Sequence, residues 1–116
     1  MVDSQIELRD KIKEMFDKYR EIMPDVARAY DELPTKVYKD GVLSGKIKRL
    51  MAIAAALVHG CRACILYQTE LALDQGANVE EIFEACAVAI SLGGTMAAGE
   101  TTRVVQYLHE KGLVGD

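Results

Sequence analysis

The sequence predicts an all-α domain of about six helices that assembles as an oligomer, and three observations carry that prediction. Apolar residues recur at three- and four-residue spacing along most of the chain, the period of a helix with one buried face. Half of the residues are apolar while only 6% are aromatic, and small Ala residues fill the second half, a composition suited to closely packed helices rather than sheets. No alternating strand pattern, repeat or low-complexity segment occurs. At 116 residues the whole chain, 1–116, is one domain large enough to bury a core.

Ser4, with Glu7 three residues later, reads as the cap of a first helix carrying Ile12, Met15, Phe16, Tyr19 and Met23 on one face. Pro24 ends that helix and opens a second, from Asp25 to Leu33, which Pro34 is expected to interrupt. The stretch from Pro34 to Gly45 reads as a short helical turn around Lys36 to Lys39 and a loop at Asp40-Gly41. Ser44 caps a third helix, which becomes apolar all round over the nine residues from Leu50 to Val58. Such a helix needs cover on every side, which one small domain cannot supply, and this is the argument for oligomerisation. Gly60 offers a break, and helical spacing resumes from Cys61 to Gln75 with Gly76 as the terminating residue. Asn78 with Glu81 three residues on launches the next helix, Gly93-Gly94 is read as its stop, and a last helix runs from about Met96 to Lys111, closed by Gly112.

Charge and apolar runs exclude several function classes. The net charge of −4 is spread over mixed signs, so no basic face exists to neutralise phosphates and nucleic acid is a poor partner. The longest apolar run is half the roughly 18 residues that suggest a membrane span, and the N-terminus is acidic and amphipathic without a signal-peptide pattern. A cytoplasmic protein is expected, with no membrane partner. Three cysteines in such a chain do not make a closed disulfide framework, so a close pair is read as redox-active or metal-binding.

That pair is Cys61 and Cys64 in the stretch His59-Gly60-Cys61-Arg62-Ala63-Cys64. On a helix the two share a face, with Gln68 one turn further along it. Helical β-carbons at this spacing lie roughly 5 to 6 Å apart, whereas a disulfide wants about 3.5 to 4.5 Å. The first turn must therefore relax, and Gly60 makes that inexpensive. A helix N-terminus favours an anion by roughly 0.3 to 1 kcal/mol, enough to lower a thiol pKa by some tenths of a unit, and Arg62 or a protonated His59 would add to this. One thiolate can then attack and the other resolve the intermediate.

Other residues receive blander readings. Zinc needs four ligands and would have only His59, His109 and Cys86 beside the pair, so neither a metal nor a cofactor is expected. Cys86 reads as a buried small residue, His109 as a solvated residue near a helix end, Tyr67 and Tyr107 as packing residues, and Glu70 as a solvated carboxylate. Gly93-Gly94 follows no strand, so it does not indicate a phosphate loop.

Residues 43–94 resemble the carboxymuconolactone decarboxylase and alkylhydroperoxidase-D-like family, in its cysteine-pair branch. The resemblance rests on Leu43-Ser44-Gly45-Lys46, the apolar helix, Cys61-Arg62-Ala63-Cys64, and the run from Leu71 through Asp74-Gln75-Gly76-Ala77-Asn78 to Ile82. It implies a helical fold assembled as a dimer-based trimer or hexamer. It also implies a peroxidase-like dithiol in which Cys64 attacks a peroxide, Cys61 resolves, and a thiol reductant protein regenerates the pair. The same branch carries a histidine four residues after the second cysteine and a glutamate twelve before the first, as a proton relay. Gln68 and Arg49 stand there in this chain. Gln cannot shuttle protons as an imidazole does, and Arg reverses the missing carboxylate's charge. His59 is the expected substitute for proton handling, while Arg49 would hold a thiolate or an anionic substrate. The alternatives are a lyase of the decarboxylase type using His59 and Arg49 around a small carboxylate, and a non-catalytic oligomer whose dithiol is idle or binds metal.

Overall fold

The computed structural model describes residues 3–115 and consists of five helices, with no strand among the described residues. They are α1 (Gln5–Ile22), α2 (Pro24–Val37), α3 (Gly45–His59), α4 (Arg62–Asp74) and α5 (Val79–Glu110). The starts lie where short-range capping chemistry puts them. Ser4 Oγ accepts from the Glu7 amide at 3.1 Å, and Ser44 Oγ accepts from the Ile47 amide at 3.1 Å. At α5 the capping box is reciprocal, Asn78 Oδ1 to the Glu81 amide at 2.8 Å and Glu81 Oε1 to the Asn78 amide at 3.0 Å.

One expected helix boundary is corrected and another is met. Pro34 does not end α2, which continues to Val37. A proline inside a helix removes its own donor and crowds the carbonyl four residues back. Here that carbonyl belongs to solvent-exposed Tyr30, where water is available to a freed carbonyl, and only one further turn remains. The last carbonyl of α2 and one just beyond it gain a cation, as Lys48 Nζ donates to Val37 O and Lys39 O, both at 2.9 Å. Gly94 interrupts the helix where the sequence placed a stop: with non-helical φ 64° and ψ −143° it divides the span labelled α5 into two helical stretches joined across a kink. With the two stretches of α5 taken separately, the described residues hold the six helices expected.

α3 lies against both α4 and α5. Its Ile53 and Leu57 pack with Ile65 and Leu66 of α4 and with Ile82, Cys86, Val104 and Leu108 of α5 to form the core. All-round burial of α3 is not realised within one chain, because Met51 remains 55% exposed and Ile47 and Val58 are also open. α5 has the length and apolar character to cross a membrane by composition alone. It is nevertheless packed on α3, α4 and α1, and its open side carries Val88, Met96 and Leu92, the last 80% exposed.

α1 is fastened across the bundle by two part-buried polar clusters. Glu110, at the end of α5, accepts from Ser4 Oγ at 2.6 Å and from the Gln5 and Ile6 amides at 2.9 and 3.1 Å, so a carboxylate distant in sequence caps α1. Arg9 donates from Nη2 to Glu70 Oε1 at 2.8 Å, and Tyr107 donates from its hydroxyl to Glu70 Oε2 at 3.1 Å. Glu70 is therefore an interhelical tie and not the solvated carboxylate expected. α2 packs chiefly on α1, through Phe16 against Tyr30 and the pairing of Arg20 with Asp31.

Candidate functional site

The site begins where α3 turns into α4. Gly60 adopts the left-handed conformation (φ 75°), its amide donating to Leu57 O at 3.2 Å and that of Cys61 to Ala56 O at 3.1 Å. This closes α3 with the hydrogen-bond pattern glycine favours at a helix end. Cys61 then leaves helical geometry (φ −87°, ψ 103°) and becomes the N-cap of α4. Its Sγ accepts from the Cys64 amide at 3.3 Å, a sulfur occupying the place usually taken by a serine or aspartate oxygen. The relaxation that an intrahelical pair would require is met by this extended residue. Cys61 and Cys64 form a disulfide with Cα atoms 5.2 Å apart, inside the usual range.

Cys64 is exposed and Cys61 half-buried. Cys64 opens onto a cavity of about 280 Å³. From α4 the wall also takes Ala63, Tyr67, Gln68 and Leu71; α1 adds Ile12, Phe16 and Arg20; α2 closes it with Tyr30, Asp31 and Pro34. Two larger but shallower hollows, along α1 and along the end of α5, contain no thiol.

Arg49 of α3 also lines this cavity. It is 9% exposed, donates from Nε to Gln75 Oε1 at 2.9 Å and from Nη1 to Gln68 Oε1 at 3.0 Å, and has its guanidinium carbon 3.6 Å from the centre of the Tyr38 ring. No carboxylate pairs with it among the described residues. Burial holds its pKa below the ordinary arginine value, because a desolvated charge is partnered only by neutral amides and an aromatic face. Gln75 is held in turn by close packing on Gly45: a β-carbon at that glycine would overlap the Gln75 amide and lie 2.6 Å from the Tyr38 carbonyl.

Of the residues singled out from sequence, Cys64, Arg49 and Gln68 meet at one cavity and Cys61 stands behind Cys64 in the disulfide. His59 and Arg62 do not join them. His59 is exposed as the last residue of α3, Arg62 is exposed as the first of α4, and neither lines the cavity. Sequence reasoning missed Tyr38, Gln75 and the α1–α2 wall. Gln75 lies in the run that carried the family resemblance, whereas nothing local marked Tyr38. Cys86 is buried in the core as expected, and burial pushes its thiol pKa up to about 11.

Comparison with known proteins gives a consistent picture. The sequence model of the carboxymuconolactone decarboxylase family matches residues 24–107. An uncharacterized protein of Cupriavidus necator is 29% identical over 97 residues, covering 84% of this chain and 86% of the relative. The crystal structure of an apo carboxymuconolactone decarboxylase family protein from Legionella pneumophila matches with a TM-score of 0.86 at 26% identity, over 93% of this chain and 96% of that one. A Thermotoga maritima family protein, for which involvement in antioxidative response has been suggested, is 35% identical with a TM-score of 0.68, over 74% of this chain and 89% of its own.

Proposed function

The chain belongs to the carboxymuconolactone decarboxylase family, and from that premise we propose that it is a dithiol oxidoreductase reducing peroxides, or partner disulfides, through Cys64 and Cys61. The observation that carries the reading is the arrangement of the pair: Cys64 is exposed at a cavity, with Cys61 bonded to it and seated at the N-terminus of α4. The suggested antioxidative role of the Thermotoga relative points the same way.

In the proposed cycle the Cys64 thiolate attacks one oxygen of a hydroperoxide. The O–O bond breaks, Cys64 becomes a sulfenic acid, and the alkoxide leaves and takes a proton from water. The Cys61 thiolate then attacks the Cys64 sulfur, hydroxide departs, and the disulfide forms. A thiol reductant protein attacks the exposed Cys64 sulfur and releases Cys61 as a thiolate, which the Cys64 amide and the N-terminal dipole of α4 stabilise. The reductant's second thiol displaces Cys64 from the mixed disulfide and leaves oxidised. Gln68 has no proton to transfer in the first step, so water serves there. The cycle belongs in a reducing compartment, the cytoplasm.

A lyase built on His59 and Arg49 draws no support, since only Arg49 lines the cavity. The exposed apolar side chains on α3 and α5, Met51 and Leu92 among them, support a homo-oligomer that buries them, which light scattering would read as a mass several times 12.8 kDa. The test of the main reading is turnover of hydroperoxide or of a disulfide substrate by reduced protein with a dithiol reductant. Cys64→Ser should abolish it. Cys61→Ser should leave one oxidation equivalent per chain trapped on Cys64 as sulfenic acid. Full activity in Cys64→Ser, or stoichiometric zinc bound at the pair in place of turnover, would overturn the assignment.

A further inference from the structure

Arg49 has more capacity than its neighbours use. Nε and Nη1 donate to the neutral side-chain amides of Gln75 and Gln68, while Nη2 makes no hydrogen bond among the described residues and is the part of this nine-tenths buried residue that stays open to the cavity. The other charged groups at the cavity are already satisfied: Arg20 pairs with Asp31 at 2.8 Å and with Asp17 at 2.7 Å. The cavity therefore holds one uncompensated positive charge, fixed in position by two amides and stacked on Tyr38, among walls formed largely by Ile12, Phe16, Tyr67 and Leu71. A buried cation lacking a counter-charge is costly, and a guanidinium with a free donor is suited to an oxyanion.

We propose that this cavity is a binding site for a small organic carboxylate with an apolar body, its carboxylate on Arg49 and its hydrocarbon part between α1 and α4. At about 30 Å³ per heavy atom, roughly the share of a water molecule in the liquid, the 280 Å³ of the cavity takes about nine heavy atoms. Cys64 lies on the same wall as the hydrocarbon part. Where the dithiol reading of the previous subsection holds, and the inference about substrate rests on it, the substrate is a hydroperoxide or disulfide that itself bears a carboxylate. Arg49 then discriminates by charge, and its hydrogen bonds to Gln68 and Gln75 set the anion's position relative to Cys64.

Octanoate is the probe, with octan-1-ol as its uncharged counterpart. In calorimetric titrations of the reduced protein, octanoate should bind saturably at one site per chain and slow the alkylation of Cys64 by iodoacetamide. Octan-1-ol should bind at least tenfold more weakly. Arg49→Gln should weaken octanoate binding by about tenfold to a hundredfold, the range for one charge-assisted bond, and leave octan-1-ol binding within about twofold. If Arg49→Gln does not fold, Leu71→Trp, which fills the cavity while keeping Arg49, should abolish octanoate binding. The proposal is overturned if octanoate and octan-1-ol bind equally well, if octanoate does not bind, or if Arg49→Gln or Leu71→Trp binds it as the parent does. It is also overturned if Arg49→Gln raises the Cys64 thiol pKa while octanoate affinity stays the same, since Arg49 would then serve the thiolate. Absence of turnover together with Arg49-dependent octanoate binding would refute the oxidoreductase reading and leave the anion site standing. Turnover with no preference for carboxylate-bearing hydroperoxides over their methyl esters would do the reverse.

Discussion

Gly45→Ala tests whether the frame that positions Arg49 is as tight as its packing implies. Gly45 is the first residue of α3 and is buried. An alanine β-carbon there would overlap the Gln75 amide and sit 2.6 Å from the backbone carbonyl of Tyr38. Gln75 can swing away and lose its 2.9 Å bond to Arg49 Nε, but the Tyr38 carbonyl moves only if the end of α2 or the start of α3 shifts. Overpacking of this kind costs about 1 to 3 kcal/mol, against which the loss of unfolded-state freedom on replacing glycine returns about 0.4 to 1 kcal/mol. The net cost is on the order of 0.5 to 2 kcal/mol, or a fall in Tm of roughly 2 to 8 °C for a chain of this size. Circular dichroism melts of the reduced protein would measure it. Adding Gln75→Ala separates the two contacts: it relieves the side-chain overlap only, so the Gly45→Ala/Gln75→Ala protein should remain less stable than Gln75→Ala alone. A Tm for Gly45→Ala equal to or above that of the parent would refute the reasoning, because the backbone approach would then be loose and Arg49 would not be rigidly held.

Glu110 is expected to make acid stability depend on the α1 cap. Burial raises its pKa, but the Ser4 hydroxyl, the Gln5 and Ile6 amides and Gln106 outweigh this and bring it down to about 2. A folded-state pKa below the unfolded one stabilises the protein above the unfolded value near 4.5 and ceases to do so as pH falls toward 2; Glu110→Gln should lower Tm at pH 6 and flatten its fall between pH 5 and 2. Cys86, with its pKa near 11 and almost no exposure, has about a thousandth of its population as thiolate at pH 8. Mass spectrometry of the reduced native protein after iodoacetamide should therefore find two labelled thiols, and a third only in denaturant. His59→Gln should keep peroxide or disulfide turnover within about twofold, since His59 lies outside the cavity; a tenfold loss would show that it reaches the pair during the cycle.

Most of the fold was legible because helix starts and stops are local chemistry. Ser4, Ser44 and Asn78 cap with amides three residues on, and Gly60, Gly76 and Gly112 take the positive φ that ends a helix. Pro34 misled because its penalty depends on what else can satisfy the Tyr30 carbonyl, and exposure is a tertiary property. Glu70 misled for the same reason: its role lies with Arg9 and Tyr107, 61 and 37 residues away. In the site, adjacency in sequence was a poor guide to adjacency in space. His59 is two residues from Cys61, yet it stays on the exposed end of α3 because Gly60 turns the chain, while Arg49, twelve residues before Cys61, reaches the cavity wall.

Arg49 and Gln68 stand where the family resemblance implies a glutamate and a histidine. The structure joins them through the 3.0 Å bond from Arg49 Nη1 to Gln68 Oε1. A histidine at position 68 would face a buried guanidinium, which disfavours its protonated form and works against the proton donation for which an imidazole is useful. A neutral amide accepts from the guanidinium at every pH and holds it in place. A carboxylate at 49 is compatible with a titrating imidazole at 68, and an arginine at 49 with a permanently neutral acceptor there, so the two residues suit each other on physical grounds. On the reading proposed above, this pair of residues places a fixed positive charge in the cavity that Cys64 also lines, which suits the site to binding anions rather than to moving protons.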